Sequence, residues 1–248
     1  MKTIRLTSVT IVLSAVFGLA VCNRQPTDFG NSNGMLDNTD NGNSSMNLAQ
    51  CSTSVNALPF ESISMDERNG LIFMREEEKL AHDVYVTLYN KWGAQVFNHI
   101  SNSEQTHTNA VLMLLQRYSI PDPVGTNAVG VFTNTTLQSV YNDLIQKGNV
   151  SLAEAIKVGL LIEELDISDL QKQIAKTDNQ DITLVYENLM RASRNHLRAF
   201  NQNAVTQGVT YTPQYISQQE FTSIVNSAWE KGTNAQCGNN QQGGCKRR

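Results

Sequence analysis

Apolar residues recur in this chain at intervals of three and four residues, the spacing that gathers them on one face of an α-helix. Segments with this pattern open with Ser-x-x-Glu at Ser64, Ser151 and Ser217, which is the signature of a capping box. No segment alternates apolar and polar residues convincingly, as a strand would. The pattern predicts four long helices, at about 65–92, 94–118, 151–176 and from Asp178 or Asn179 to 205, and shorter ones at 136–147 and 217–231. The predicted fold class is therefore all-α.

The connection after the second long helix is much longer than the turns within the two helix pairs. It contains the turn-rich stretch SIPDPVGTNAVG at 119–130 and one of the shorter helices. Four long helices with one long crossover describe a four-helix bundle of the one-crossover kind. We therefore predict such a bundle, with the crossover between helices two and three and a short extra helix at the C-terminal end.

The first 22 residues have the pattern of a secretory signal peptide. Lys2 and Arg5 precede an apolar run that is short for a membrane span of ~20 residues. The run ends at Val21-Cys22, which resembles a lipoprotein cleavage site except that Val21 stands where a small residue is usual. We expect an exported protein, periplasmic, at the cell surface or extracellular. Membrane attachment through a lipid at Cys22, free secretion and a transmembrane anchor all stay open.

The segments on either side of the predicted helices are polar and rich in Asn, Ser, Thr and Gly. Such sequences bury too little apolar surface to offset the entropy of ordering them. We therefore expect a disordered tether at 23–57, a single folded domain at 58–231 and a flexible tail at 232–248. Cys51 and Cys237 flank the domain, so a disulfide between them is an option in an exported protein.

The net charge bears on the partners that the chain can have. It is −4, and no basic stripe follows any predicted helix, which excludes nucleic acid as a natural partner. The cysteines show no C-x-x-C pair, which argues against a zinc ribbon. A homodimer stays open.

Acidic and histidine side chains interrupt the apolar face of each long helix. The predicted inward positions hold six of them: Glu78, Glu104, His107, Glu163, Asp166 and His196. Glu78 precedes the turn at Gly93 by 15 residues, and Glu104 and His107 follow it by 11 and 14. At ~1.5 Å rise per residue, both arms are ~17–22 Å long, so these groups meet at one level. The second helix pair is matched in the same way.

A bound cation would make this cluster tolerable inside a protein. Burying an ion costs several kcal/mol even after relaxation, and like charges add to that cost. Carboxylate and imidazole ligands in a helical bundle suit iron or manganese, with zinc as an alternative. Each element alone has a simpler explanation: a single E-x-x-H arises by chance, and a buried histidine is usually only hydrogen-bonded. The acidic run Glu76-Glu77-Glu78 would ordinarily be a solvated face from which one residue alone can point inward.

These residues carry a resemblance to the ferritin-like superfamily, and to rubrerythrin-type di-iron bundles in particular. The matching motifs are REEEKLAHDVY with Glu78 and Tyr85, SEQTH with Glu104 and His107, IEELDISDL with Glu163 and Asp166, and SRNHLRAF with His196. More narrowly, the motifs resemble an exported bacterial and archaeal ferritin-like family of unknown function, over about 62–205. The resemblance implies that 58–231 is a ferritin-like four-helix domain. It also implies that the six residues are metal ligands, with Tyr85 and Tyr186 in hydrogen-bonding range of them.

Helix four departs from the di-iron pattern, because Ser193 stands where a glutamate is expected. Asp166 is a candidate substitute, and the sequence leaves one or two ions open. The paired C-x-x-C motifs of the rubredoxin-like iron site in rubrerythrins are also absent. The resemblance implies an exported iron-binding protein with oxidase or peroxide-reducing activity. The alternatives are a non-enzymatic surface module with a degenerate site and, less compatible with a tether, iron storage.

Overall fold

The computed structural model describes residues 36–39 and 42–231, and this part of the chain is mostly helical. Seven helices and one two-stranded hairpin follow one another in the order β1 (Leu36–Thr39), β2 (Asn43–Met46), α1 (Leu48–Asn56), α2 (Met65–Trp92), α3 (Gln95–Arg117), α4 (Thr135–Gly148), α5 (Leu152–Ile174), α6 (Gln180–Thr206) and α7 (Gln218–Val225). The six predicted helices are confirmed, with ends that differ by a few residues. The largest difference is at α7, which ends at Val225 instead of continuing to 231.

The predicted helix starts act as caps. The Ser64 side chain accepts from the backbone N–H of Glu67, and the Glu67 side chain returns a bond to the Ser64 N–H, which completes the capping box. Ser151 and Ser217 accept from the third residue of α5 and of α7 in the same way. Gly93 ends α2 with φ of 66°, a left-handed conformation that glycine adopts without a steric penalty.

The four long helices pack as two hairpins around a shared interior. One hairpin is α2 with α3 and the other is α5 with α6, and α2 also contacts α5 while α3 contacts α6. The crossover between the hairpins carries α4, which lies against α2 and α5. Helices α2 and α5 are antiparallel, since Tyr85 on α2 reaches the Gly159 carbonyl while Gly70, near the start of α2, adjoins Gln173.

The crossover is held to α2 by buried charged side chains. Arg75 donates to the Asp122 carboxylate at 3.0 Å, and the Glu76 carboxylate accepts from the Thr133 N–H at 2.6 Å. Two turns further along, Asp83 accepts from the Gly130 N–H at 2.8 Å. Charged residues of α2 therefore provide the polar partners that the backbone of an irregular loop requires.

This arrangement corrects the expectation that one residue alone of the acidic run can point inward. Glu76, Glu77 and Glu78 are all buried, with 2–4% of each residue exposed. They can be buried together because they face different neighbours: Glu76 faces the crossover, Glu77 faces α5 and Glu78 faces α3. An acidic run is a solvated face when only one side of the helix is covered, whereas α2 is covered on several sides.

The predicted tether also requires correction. Residues 42–57 contain β2 and α1, and β2 packs on α3 and α6. The Ser44 N–H donates to Ser103 Oγ at 2.8 Å, and the Met46 N–H donates to Thr106 Oγ1 at 2.7 Å. Gly42, with φ of 84°, lies so close to α6 that a Cβ there would be 2.8 Å from that of Ala199. Polar residues are thus ordered as a strand because side chains of α3 satisfy their backbone.

Other expectations concern the ends of the chain. The predicted signal peptide, Cys22 and the flexible tail with Cys237 lie outside the described residues. Cys51 is buried and is a free cysteine within the described part of the chain. Within 36–39 and 42–231, no helix combines the length and the apolar character needed to span a membrane.

Candidate metal centre

Glu104 lies between two histidines that come from different helices. On α3, the spacing of three residues places Glu104 and His107 on one face, and the Oε2 atom of Glu104 is 2.8 Å from Nδ1 of His107. Helix α6 brings His196 to the other side, where its Nδ1 is 2.8 Å from Oε1 of Glu104. The two rings are stacked with their centroids 5.4 Å apart. One carboxylate therefore faces an imidazole with each of its oxygens.

A second carboxylate stands beside each histidine. Glu78 of α2 places Oε2 at 3.6 Å from His107 Nδ1, and Glu163 of α5 places Oε2 at 3.4 Å from His196 Nδ1. These five residues are nearly inaccessible, with at most 3% of any of them exposed. The structure thus brings Glu78, Glu104, His107, Glu163 and His196 together at one level of the four long helices, as their depth in the sequence predicts.

Tyr85 fixes one of these carboxylates. Its hydroxyl donates to Oε1 of Glu163 at 2.5 Å, which leaves Oε2 directed at His196. Tyr186, the other tyrosine in the sequence prediction, has a buried hydroxyl without a hydrogen-bond partner. His82 is also absent from the centre, because its ring is partly exposed and pairs with Asp83 at 2.8 Å.

The electrostatics of the centre follow from burying three carboxylates with two imidazoles. Burial opposes ionisation of Glu104, but the charges of His107 and His196 outweigh burial and hold the pKa of its carboxyl well below its ordinary value. Burial also opposes the His196 cation, yet Glu104 and Glu163 raise the pKa of His196 to about 9. The pKa of Glu78 rises to about 7, chiefly because it is buried. Without a bound cation, the protons that the imidazoles bind offset the negative charge of the buried carboxylates.

Several atoms of the centre lack hydrogen-bond partners. Oε1 of Glu78 and both ring nitrogens of His196 are buried, and none of the described residues provides a partner for them. Although His196 Nδ1 is only 2.8 Å from Glu104, the two groups are not oriented for a hydrogen bond. Two ligand atoms that are each ~2.1 Å from one ion and ~90° apart lie ~3 Å from each other. The observed spacing therefore fits ligands that point at a common ion better than a donor that points at an acceptor.

The N-terminal hairpin, β1 and β2, supplies a residue that sequence reasoning missed. Nε2 of His107 donates to the carbonyl oxygen of Ser44 at 2.9 Å, since a carbonyl can only accept. With that proton fixed on Nε2, Nδ1 either carries a second proton or presents its lone pair to a cation. Because the contact uses backbone, no side-chain pattern signals it. A partner of this kind orients a metal-binding histidine.

Asp166 lies next to the centre rather than between the histidines. Its Oδ2 accepts a hydrogen bond from the hydroxyl of Ser193, the residue that replaces the expected glutamate, and its Oδ1 has no partner. Burial, then the charges of Glu78 and Glu77, raise the pKa of Asp166 well above its ordinary value. Among the described residues, the set whose ligand atoms all lie within 4.8 Å of one another is Glu104, His107 and His196.

The fold and this cluster define the class: a mostly helical protein with a buried carboxylate and histidine centre between four long helices. The chain belongs to the family described as "Uncharacterized protein domain (DUF2202)", whose sequence model matches residues 67–228.

A relative and a solved structure agree with that assignment. The chain is 54% identical over 180 residues to "Uncharacterized protein MJ0754" of Methanocaldococcus jannaschii, covering 73% of this chain and 97% of the relative. It is also similar to the crystal structure of hypothetical protein MJ0754 from Methanococcus jannaschii, with a TM-score of 0.69 and 55% identity. That match covers 70% of this chain and 99% of the solved one.

Proposed function

We propose that this chain is an exported ferritin-like protein that binds iron at the Glu104 centre and acts as an oxidase or reduces peroxides. Two ions would share Glu104, one bound also by Glu78 and His107 and the other also by Glu163 and His196. Manganese or zinc is compatible with the same donors. Export is inferred from the signal-like first 22 residues.

The observation that carries the proposal is the position of Glu104. Each of its oxygens is 2.8 Å from a different histidine, and each histidine has a further buried carboxylate within 3.6 Å. Two half-sites of one carboxylate and one imidazole thus meet at a shared carboxylate. Three carboxylates buried together are costly in a protein interior, and cations offset that cost.

Iron bound here would supply one-electron oxidation and reduction toward dioxygen or a peroxide. The chain's own residues would hold the ligands and exclude water. Tyr85 orients Glu163 through its hydroxyl, and the Ser44 carbonyl orients His107. Asp166, the candidate substitute for the missing glutamate, would add a buried carboxyl group beside Glu78.

Elemental analysis of the full chain, purified without chelator, tests the proposal. We expect about two equivalents of iron per chain, which Glu104→Gln should reduce to less than one because both half-sites lose the shared carboxylate. Glu187→Gln is the matched control, since it removes a half-buried carboxylate beside Arg191 and Arg194 on α6 and should leave the metal content unchanged. Less than about half an equivalent of any transition metal in the natural chain would refute the proposal.

Ser193 favours a second candidate function, a non-enzymatic surface module with a degenerate site. A serine hydroxyl bonded to Asp166 occupies the place of a second shared carboxylate. On this alternative, the natural chain folds stably without metal, and Ser193→Glu raises its metal affinity by at least about tenfold. Equilibrium titration with Fe²⁺ under anaerobic conditions separates the two functions, because the first requires tight binding by the natural chain itself.

A further inference from the structure

Glu77 is a buried carboxylate that the centre does not use. Only 4% of the residue is exposed, and no donor of the described residues reaches either of its oxygens, whose near neighbour is another acid, the carboxyl of Asp169, within hydrogen-bonding range. A buried polar group without a partner destabilises the folded chain, and more strongly when it is charged. Its neighbour Glu76, which is equally buried, accepts from two backbone N–H groups of the crossover instead. Glu77 therefore requires an explanation that Glu76 does not.

The register of α2 against α5 places Glu77 opposite Asp166. Near one end of the interface, Tyr85 reaches the Gly159 carbonyl, and near the other end Gly70 adjoins Gln173. Position 77 is midway between 70 and 85, and position 166 is midway between 159 and 173. Asp166 also has a buried oxygen, Oδ1, that no donor of the described residues reaches, so this level of the interface holds two carboxyl groups with unsatisfied oxygens.

The interface leads from these two carboxylates to solvent. Asp169 follows Asp166 by one turn of α5, and its carboxylate exerts the largest effect of any charge on Glu77. The Asp169 side chain is 16% exposed, and it is bound at 2.6 Å by the ammonium group of Lys172, which is 59% exposed. In the opposite direction lie Glu78 and Glu163 of the centre, one residue from Glu77 and three residues from Asp166 along their helices.

We propose that these three acids, Asp169, Glu77 and Asp166, form a path by which divalent cations reach the Glu104 centre from solvent. The inference rests on the proposed function, because the path would deliver the ions that the Glu104 centre is proposed to bind. Each acid would hold the ion in turn, which accounts for carboxyl oxygens that no donor in the described part of the chain reaches. The path is for transit, since among the described residues only the Glu104, His107 and His196 set brings three ligand atoms within 4.8 Å of one another. At the solvent-exposed end of the path, the ammonium group of Lys172 would compete with the ion for the Asp169 carboxylate.

Stopped-flow mixing of the metal-free full chain with Co²⁺ tests the path, because the absorption of Co²⁺ reports its coordination. We expect Glu77→Gln to slow loading about tenfold, since a carboxylate that steers a cation acts on its rate of arrival. Its final stoichiometry should equal that of the natural chain. Glu187→Gln removes the same charge elsewhere and should load at the natural rate. An unchanged rate in Glu77→Gln would overturn the inference, and so would the loss of a whole equivalent of Co²⁺, which would make Glu77 a resident ligand.

Lys172→Gln gives a prediction of the opposite sign, which a merely damaged fold would not produce. Removing the ammonium group beside Asp169 should raise the rate of Co²⁺ loading by about two- to threefold at low ionic strength. Added salt should diminish this difference between the variant and the natural chain. Equal or slower loading in this variant would contradict the path. If the natural chain binds no Co²⁺ at all, the proposed function itself fails. If Glu77→Gln instead reaches the normal stoichiometry at the natural rate, only the path is refuted.

Discussion

Gly159, in the middle of α5, provides a sharp test of how closely the helices approach. A Cβ at this position would lie 2.4 Å from Cε1 and 2.6 Å from Cδ1 of the Phe200 ring on α6. Ordinary contacts of a Cβ begin at 3.4 Å, so Gly159→Ala requires a relative shift of about 1 Å. The ring has little room to move, because Tyr85 and Phe97 are packed against it with centroids at 5.2 and 5.5 Å.

Two opposing free energies determine the result. Alanine is favoured over glycine in a helix interior by about 1 kcal/mol. Forcing an extra methyl group into a well-packed core costs about 1–3 kcal/mol and can exceed that range. Because rigid rings confine Phe200, we expect the packing cost of the added methyl group to lie in the upper part of that range. The free energy of unfolding of Gly159→Ala should therefore fall by about 1–2 kcal/mol, against the direction that helix propensity alone predicts.

Urea denaturation followed by circular dichroism measures this change. Gly70→Ala is the matched control, because it is also a helical glycine whose Cβ would be too close to a neighbour, at 2.5 Å from Oε1 of Gln173. That neighbour is the end of a flexible side chain that can turn away, so the control should be neutral or stabilised by up to about 1 kcal/mol. A Gly159→Ala chain that is as stable as the natural one would refute the reasoning.

Other predictions concern single side chains. Tyr85→Phe leaves Glu163 without its donor and should weaken Fe²⁺ binding by about tenfold in an anaerobic titration. Asp83→Asn leaves the buried Lys79 ammonium without its carboxylate and should lower the free energy of unfolding by about 3–5 kcal/mol in urea. Although burial opposes its ionisation, hydrogen bonds hold the pKa of Asp83 below its ordinary value. The stabilisation by Asp83 is therefore complete above pH ~4 and is lost as the pH falls through its pKa in the folded chain. The melting temperature of Asp83→Asn should accordingly change less with pH in this acid range than that of the natural chain. Burial raises the pKa of the Cys51 thiol to about 12, so iodoacetamide should label it at pH 8 only after denaturation, as peptide mass mapping would show.

The helices and the meeting of the acids and histidines could be predicted because both follow from local rules. A capping serine and a run of apolar residues at helical spacing determine where α2 and α5 begin. The same periodicity determines which residues of a helix face inward, so the depth of Glu104 relative to Gly93 could be counted along the chain. No contact between distant segments had to be known for these predictions.

The N-terminal hairpin could not be predicted, because its stability comes from partners that are distant in the sequence. The composition around Ser44 is that of a disordered segment, and the groups that order it are Ser103, Thr106 and His107 on α3. The burial of Glu77 was missed for a similar reason. A run of three acids shows helical phase, but it does not show that α5 and the crossover cover two further sides of α2.

The contact between Ser44 and His107 has a consequence for how the molecule can be divided. The region that defines the family begins at residue 67, whereas the strand that lines the interior ends at Met46. A fragment trimmed to the family region would retain every proposed ligand yet open one wall to water and release the imidazole from its backbone anchor. If the proposed centre binds metal, such a fragment should take up and release it at rates different from those of the whole chain, because strand β2 forms part of the wall of the interior.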